Sequence, residues 1–337
     1  MTLLDKASII IPKGGDSKGG ASAGVLYGFN PNTQALVPIS TVQNTANLTR
    51  VNEAGLIESV VSNLLPRDFT NGGCGDYAIW PQRTNQFLNS ATLATQDVTA
   101  TAVVHTISFS GTGTITFSGA HTGYLVGSGA GDNDIVSVSF TPSAGTVTCT
   151  ISGTVKYANF EIGTYRSAWI PTVASVETRD AMITILTGAG SLIGNENGIY
   201  MEYLAFSNAE SPTISLGEDA SGLTNRFAVR LAQAGNKVSL FMTVGGVGQA
   251  VIDTPSSTSF PNVWNKIAIR QATNDVAIYL NGVSAGTDTS AIPFSGQLTA
   301  FRFALSNDAS RFYGRFRELV IFNQPPTNAE LTAISTT

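Results

Sequence analysis

The chain has 337 residues and a formal net charge of −5, and only 12% of its residues are charged. Lys and Arg form no run, so the sequence gives no basic surface of the kind that binds nucleic acid. The 34 glycines, with abundant Thr, Ser, Asn and Ala, favour an all-β protein of two or three domains.

Residues 1–50 are predicted to form an extended segment that docks on another protein. The stretch from Lys13 to Gly20 is polar and glycine-rich, and it cannot enclose a core by itself. The start of the chain has neither the charge pattern nor the apolar run of a signal peptide, so we expect assembly in a cytoplasm. The opening LLDKAS resembles the start of bacteriophage fibre and appendage proteins, which implies anchoring on a virion. The predicted anchoring residues are Leu3, Leu4, Asp5, Lys6, Ala7, Ser8, Ile9 and Ile10.

Residues 51–86 are predicted to be a connector built on a β-hairpin. Val51 and Ile57 flank the turn sequence Asn-Glu-Ala-Gly, which suits a tight reversal of the chain. Three stretches, LTRVNEAGLIE, PRDF and WPQRTN, resemble successive motifs of phage tail-fibre proteins. Their arginines, Arg50, Arg67 and Arg83, are expected to fork onto carboxylates and hold these loops in place.

Residues 87–179 are predicted to form a small β-sandwich. Glycine-containing turn signals break the segment every ~8–12 residues, as in sandwiches. The predicted strands are Val103 to Ile107, Thr114 to Phe117, Ile135 to Phe140, Thr146 to Ile151 and Ala158 to Ile162. The exit from the segment, NFEIG followed by SAWIPT and VETR, resembles the carbohydrate-binding-module-like domain of phage fibres.

Residues 180–337 are predicted to form a second and larger sandwich. From Trp264 onward apolar residues alternate with polar ones, and Asn281-Gly282 then supplies a hairpin turn. The YLNG hairpin and the later FYGRFRELVIFN strand resemble the laminin G-like, concanavalin A-like jelly roll. The same pattern continues into a short helix, which Thr327 and Glu330 are expected to cap. This fold hosts sugar binders, enzymes and spacers alike.

Few residues are suited to catalysis or metal binding. His105 and His121 are the two histidines, and neither has a neighbouring Cys or carboxylate at metal-ligand spacing. Cys74 and Cys149 are far apart and are predicted to be free thiols. The oxygen-rich loops 132–134 and 307–308 leave calcium open, although Asx turns explain them better. We therefore predict no catalytic residue and no cofactor.

Two loop clusters are candidate glycan sites because sugars present apolar CH patches edged with hydroxyls, which aromatic, amide and guanidinium groups recognise. Trp264 is excluded from both clusters, since its strand pattern places it in the core. The first cluster is Asn307, Asp308, Arg311 and Tyr313, and the second is Asn195, Asn197 and Tyr200.

Together these resemblances imply a structural fibre of a phage virion, homotrimeric, carrying a lectin-like domain that attaches to host polysaccharide. Two alternatives remain open at this stage. One is a capsid decoration or adaptor protein without a ligand, and the other is a glycan depolymerase with paired carboxylates.

Overall fold

The computed structural model describes residues 7–11, 26–30, 35–39, 41–42, 47–61, 65–186, 193–209, 211–218 and 222–336. Within these ranges no helix is long and apolar enough to cross a membrane. The strands up to residue 179 are β1 (Ala7–Ile11), β2 (Leu26–Asn30), β3 (Ala35–Ile39), β4 (Thr41–Val42), β5 (Thr49–Val51), β6 (Ile57–Ser59), β7 (Arg67–Asp68), β8 (Asp76–Ile79), β9 (Arg83–Asn85), β10 (Gln96–Ala100), β11 (His105–Ser110), β12 (Thr114–Gly119), β13 (Gly123–Val126), β14 (Ile135–Phe140), β15 (Gly145–Ser152), β16 (Lys156–Ile162) and β17 (Glu177–Arg179). The later elements are β18 (Ile183–Leu186), β19 (Asn197–Ala205), β20 (Thr213–Gly217), β21 (Arg226–Gln233), β22 (Lys237–Val244), β23 (Val247–Asp253), β24 (Asn265–Ala272), β25 (Asp275–Leu280), β26 (Val283–Asp288), β27 (Ala300–Arg302), β28 (Gly314–Phe322) and α1 (Asn328–Thr336).

The C-terminal part is a jelly roll of two antiparallel sheets, as the sequence predicts. A ten-stranded sheet runs β26-β25-β24-β19-β28-β1-β2-β3, with β8 also paired to β28 and β7 to β8. A seven-stranded sheet runs β23-β22-β21-β20-β27-β18-β4. Alternate residues point between the sheets, so that Ile267 and Ile278 of the first sheet share one core with Leu240 and Met242 of the second. Helix α1 covers the outer face of the ten-stranded sheet, where Leu331 packs in a separate cluster.

The predicted hairpin turn and helix cap are both confirmed. Asn281 and Gly282 have φ of 50° and 83° and connect β25 to β26, the conformation expected of a tight hairpin. At the start of α1 the amide of Thr327 donates to the Glu330 carboxylate at 2.7 Å, and the Glu330 amide donates back to Thr327 Oγ1 at 3.4 Å. This reciprocal pair is a capping box.

The N-terminal segment differs from its prediction. Residues 3–6 lie outside the described residues, but Ala7–Ile11 forms β1 and pairs antiparallel with β28. Strands β2 and β3 extend that sheet, and β4 pairs with β18 at the edge of the other sheet. Strands β1 to β4 are therefore part of the two sheets of the jelly roll. The physical reason is that β28 would otherwise present an unpaired edge, which β1 and β8 cover.

Residues 87–173 form the middle sandwich, with sheets β10-β15-β12-β13 and β14-β11-β16. All five predicted strands are present, Ile135–Phe140 with the predicted bounds and the other four with shifted ends, and β10 and β13 were not predicted. Strand β13 has little apolar burial to mark it, since its exposed residues include Tyr124 at 70%. Phe109 and Phe160 are fully buried in the core between the two sheets.

The entry and exit strands of the middle sandwich, β9 and β17, pair with each other. Asn85, at the end of β9, is fully buried. Its amide nitrogen donates to the carbonyls of Ala158 and Ile170, and its Oδ1 accepts from the amides of Phe87 and Phe160. The β9–β17 pair and the four hydrogen bonds of the Asn85 side chain thus hold together the end of the middle sandwich where the chain enters and leaves it.

The three predicted arginine forks have different outcomes. Arg50 forms its fork, with Nε and Nη2 at 2.8 and 2.7 Å from Glu58 Oε1 across the β5–β6 hairpin. Arg67 instead lies over the ring of Phe69 at 5.3 Å. Arg83 reaches the Glu161 carboxylate only at 3.9 Å. Aromatic contact therefore replaces the carboxylate at the second position.

Candidate functional site

A cleft of about 280 Å³ lies between the middle sandwich and the jelly roll. This volume is near the lower end of small-molecule sites, which span roughly 300–1,000 Å³. The middle sandwich contributes one wall, through β14 and the turn after β16. The residues lining the cleft are Trp80, Ser137, Ser139, Thr164, Tyr165, Arg166, Phe206, Asn262 and Arg315.

Three aromatic rings form a continuous stack along this cleft. Trp80 and Phe206 lie 4.8 Å apart with an interplanar angle of 16°, and Tyr165 lies 5.0 Å from Phe206. Trp80 and Phe206 are buried, whereas Tyr165 is partly exposed. Trp80 Nε1 is buried without a hydrogen-bond partner among the described residues. The stack gives the cleft an apolar surface that ends in the partly exposed Tyr165, and the Arg83 guanidinium lies over the Tyr165 ring at 5.2 Å from its centroid.

The turn that carries Tyr165 and Arg166 is held from below by Glu161. This carboxylate is fully buried and accepts from the amide and the hydroxyl of Ser167, both at 2.6 Å. Burial raises the pKa of Glu161, and the Ser167 hydrogen bonds and the charge of Arg179 offset part of that effect. Arg179 fixes the next residues, since its guanidinium donates to the carbonyls of Ala168 and Pro81 at 3.0 and 3.1 Å. The turn is therefore preorganised.

Arg315 lines the cleft from the jelly-roll side and belongs to an ion-pair network that joins β28 to the connector and to β19. Arg315 Nη1 lies 2.9 Å from Asp68 and 3.7 Å from Asp76. Arg317 lies 2.9 Å from Asp76 and 3.1 Å from Glu202. The carboxylates are buried, and Arg315 is only 4% exposed.

The expectation that Trp264 belongs to the core is wrong. Trp264 is partly exposed at the start of β24, and the Arg317 guanidinium lies 3.8 Å from its ring centroid. The apolar alternation begins at Ile267, so the tryptophan precedes the buried positions of the strand. Cation–π contact with Arg317 accounts for its position.

Two members of the first predicted cluster reach a cleft. Arg311 and Tyr313 line a smaller cavity with Ser207 and Pro212, and this cavity shares Tyr165 with the larger cleft. The other two members have structural roles. Asn307 Oδ1 accepts from the amide of Ala309 in a turn, and Asp308 has a positive φ and lies 3.5 Å from Arg302.

The second predicted cluster does not form a site. Asn197 and Tyr200 are buried in β19, and Tyr200 belongs to the apolar cluster beneath α1. Burial raises the pKa of the Tyr200 hydroxyl. Asn195 is exposed, but its Oδ1 accepts from the amide of Gly296 at 2.7 Å and holds a loop. The cause of the error is that β19 is buried on both faces, so alternation does not mark which side chains are accessible.

Sequence reasoning missed Tyr165, Arg166, Phe206 and Asn262. A weak signal was present, since Tyr165 and Arg166 form an aromatic–cation pair in the polar turn between β16 and Trp169. Their neighbours in the cleft come from segments far along the chain, and no local pattern identifies them.

The histidines and cysteines lie away from this cleft. His105 Nδ1 is 2.8 Å from the Val103 carbonyl, and His121 stacks on Phe140 at 3.8 Å. Cys74 is exposed and Cys149 is buried, both as free thiols. Across the described ranges no group of three or more His, Cys, Asp or Glu side chains is arranged to hold a metal ion. In the 132–134 loop, Asp132 is bound by Lys156 at 2.7 Å.

Comparison with known proteins supports the fold. Residues 203–332 match the laminin G model of the concanavalin A-like lectin/glucanases superfamily, a stretch shorter than half of the chain. No curated protein matches the sequence significantly. The all-β fold with a C-terminal concanavalin A-like jelly roll is therefore confirmed.

Several solved structures are similar over less than half of the chain. The carbohydrate-binding module of the Ruminococcus gnavus IT-sialidase, bound to α2,3-sialyllactose, is 18% identical over 43% of this chain and 84% of that one, with a TM-score of 0.37. Domain 4 of the Geobacillus stearothermophilus arabinanase AbnA, with arabinotriose, is 17% identical over 46% and 73%, with a TM-score of 0.39. For the NanB sialidase of Streptococcus pneumoniae the identity is 17% and the TM-score 0.36, and the alignment spans 44% of this chain but 26% of that one. Similarity of this extent does not identify a ligand.

Proposed function

We propose that this protein binds carbohydrate in the cleft between the middle sandwich and the jelly roll. The observation that carries the proposal is the composition of the cleft wall. An aromatic stack ends in the partly exposed Tyr165, and the amide of Asn262 and the guanidinium of Arg166 lie on the same cavity. A pyranose ring offers apolar CH groups to an aromatic surface and hydroxyls to such donors.

The smaller cavity extends this surface beyond Tyr165. Arg311 Nε donates to the Asp308 carbonyl at 3.1 Å, which holds the arginine in place on the wall. Tyr313 lies on the same cavity. The smaller cavity has a volume of about 10 Å³, the space of one water molecule, so Arg311 and Tyr313 extend the wall of the larger cleft and do not form a second sugar site. The matching family is named for lectins and glucanases, which supports a carbohydrate as the ligand class.

The chain acts by binding and not by hydrolysis in this proposal. The described residues that line the two cavities include no Asp or Glu. Glycoside hydrolysis ordinarily needs two carboxyl groups ~5–10 Å apart across the sugar. Asp68 and Asp76 are engaged, since both pair with the cleft residue Arg315 and Asp76 also pairs with Arg317.

A glycan array with purified protein tests this function, with the Tyr165→Ala and Tyr313→Ala variants beside the wild type. Tyr124→Ala is the matched control, because Tyr124 is 70% exposed on β13 and lies on neither cavity. We expect the cleft variants to lose the glycan signal and the control to keep it. Equal signals from all four proteins would exclude the cleft, and release of reducing ends from a bound polysaccharide would indicate a depolymerase. A protein that binds no glycan would be a decoration or adaptor protein.

A phage fibre is the biological setting that we propose for this binding. Its support is the three sequence motifs around Arg50, Arg67 and Arg83, the last of which begins with Trp80 of the cleft. In this setting the protein is a homotrimer on a virion and attaches it to host polysaccharide. Mass spectrometry of purified virions tests the location, and light scattering of the purified protein tests the trimer.

A further inference from the structure

Two arginines line the cleft, and Arg166, unlike Arg315, has no carboxylate within ion-pair distance among the described residues. It follows Tyr165 in the turn after β16, is partly exposed, and lines the 280 Å³ cavity. Among the described residues, no hydrogen bond or ion pair engages its guanidinium. A guanidinium carries five N–H donors, and most buried or half-buried ones are paired.

The neighbouring carboxylates are occupied by other groups. Asp68 accepts from Arg315 Nη1 at 2.9 Å and from the amides of Val51 and Thr70, each at 3.1 Å. Glu161 is held by Ser167, as described above. These acids attract Arg166 from a distance, but neither lies within the 4.0 Å of an ion pair.

The charge of Arg166 is also crowded by a second cation. Burial, and then repulsion by Arg315, lower the pKa of Arg166 to about 10, and attraction by Asp68 and Glu161 offsets part of that shift. The side chain therefore remains protonated at neutral pH. A protonated guanidinium beside a like charge gains more from an anionic ligand than a paired arginine does.

The rest of the cleft restricts what that anion can be. Ser137 lines the cleft from β14, whereas the Ser139 hydroxyl is engaged by Thr106 and the Thr164 carbonyl. The described lining contains no acidic side chain that would repel an anion. Carboxylates fit the planar fork of a guanidinium through two parallel hydrogen bonds. Tyr165 lies next to Arg166 in the chain, so a sugar ring beside the tyrosine brings a ring carboxylate within reach of the arginine.

We infer that the cleft selects carbohydrates that carry a carboxylate, with Arg166 as the residue that binds it. This inference rests on the proposed function, since it concerns the ligand of the same cleft. It assigns the specificity of the site to one side chain, while Tyr165 supplies affinity for the sugar itself.

The test uses an array of matched glycan pairs in which each acidic sugar is also present as its neutral methyl ester. We expect the bound glycans to be acidic, with the signal lost on esterification. Binding to neutral glycans, or to acid and ester alike, would overturn the inference and leave the proposed function standing. An array without any binding would overturn both.

Titration of the best acidic glycan with variants then assigns the residue. Arg166→Gln should weaken binding by roughly tenfold or more, because a hydrogen-bonded charge pair is lost. Arg226→Gln is the control of equal charge, since Arg226 lies over Phe241 at 5.1 Å on the outer face of the seven-stranded sheet. Arg166→Lys keeps the charge without the fork and should be intermediate. Equal losses for Arg166→Gln and Arg226→Gln would reduce the effect to net charge and overturn the assignment.

Discussion

Arg315 and Asp68 are 247 positions apart in the sequence, yet the guanidinium donates to the carboxylate at 2.9 Å in a buried ion pair. The pair joins β28 of the jelly roll to the connector strand β7, and its arginine lines the cleft. A buried charge pair of this kind stabilises the assembled state only while both partners are charged. Acid should therefore loosen the wall that carries the cleft.

Acid sensitivity is the first prediction. Burial raises the pKa of Asp68, but Arg315 and the hydrogen bonds from Thr70 and Val51 lower it further, so the folded-state pKa is below the usual value. Because the pKa of Asp68 is lower in the folded protein than in the unfolded chain, its ionised form stabilises the fold. This contribution to the free energy of unfolding is fully present above the unfolded-state pKa of about 3.9, and it is lost as the pH falls through the folded-state pKa. Asp68→Asn should cost about 3–5 kcal/mol near neutral pH and flatten the acid limb of the stability curve.

Urea unfolding at a series of pH values measures this effect. Asp275→Asn is the control, because Asp275 pairs with Arg270 at 2.6 Å with its side chain 50% exposed. Because the Asp275 carboxylate is half-exposed and the Arg270 guanidinium also donates to the Pro326 carbonyl, we expect Asp275→Asn to cost less stability than Asp68→Asn. The account of the buried pair would be contradicted by equal losses of stability in the two variants.

Substitution of Asn85 should lower the stability of the middle sandwich strongly. Asn85→Ala removes hydrogen bonds from two buried amides and two buried carbonyls, of which the Ile170 carbonyl keeps Ser90 Oγ at 3.4 Å, and should cost roughly 2–5 kcal/mol. Asn133→Ala is the control, since Asn133 is exposed in the loop between β13 and β14. Chemical denaturation followed by tryptophan fluorescence checks the difference, and similar midpoints for the two variants would argue against a structural role of Asn85.

The two thiols should react differently. Cys74 is exposed, whereas burial, and then the charge of Asp97, raise the pKa of Cys149 to about 12. Because the thiolate is the reactive form, an aromatic disulfide reagent should titrate Cys74 alone in the native protein. Both should react after denaturation. Rapid reaction of both thiols under native conditions would contradict the burial of Cys149.

Removing the N-terminal cap of α1 should lower the free energy of unfolding by a smaller amount. Thr327→Ala removes the side-chain half of the capping box and should cost about 1 kcal/mol. Thr332→Ala within the same helix is the control, because the Thr332 hydroxyl only donates back to the Asn328 carbonyl at 3.0 Å. Thermal unfolding by circular dichroism separates them, and the cap has no role if Thr332→Ala is the more damaging change.

Local patterns predicted the fold better than the site. Alternation from Ile267 to Ile278 and the Asn281-Gly282 turn are properties of adjacent residues, and both predictions are confirmed. The pairing of β1 with β28 could not be predicted in this way, because any strand edge satisfies a backbone ladder and the partner depends on the whole fold. The burial of Tyr200 beneath the C-terminal helix, which makes it unavailable to a ligand, also depends on the whole fold.

The residues of the cleft also differ in whether local sequence could identify them. Arg311 and Tyr313 were identified because they stand beside a recognisable strand, and they do line a cavity. Tyr165 and Phe206 were missed because their contact joins two domains across 41 positions of sequence, from 165 to 206. Sites between domains have no periodic signature in the chain.

The most direct test of carbohydrate binding in the cleft is a calorimetric titration with the strongest oligosaccharide from the array. Wild type and Tyr124→Ala should bind with the same dissociation constant, and Tyr165→Ala should bind roughly five- to thirteenfold more weakly, as expected from losing an aromatic contact of about 1–1.5 kcal/mol. Unchanged affinity in Tyr165→Ala, with all three proteins folded by circular dichroism, would contradict the account.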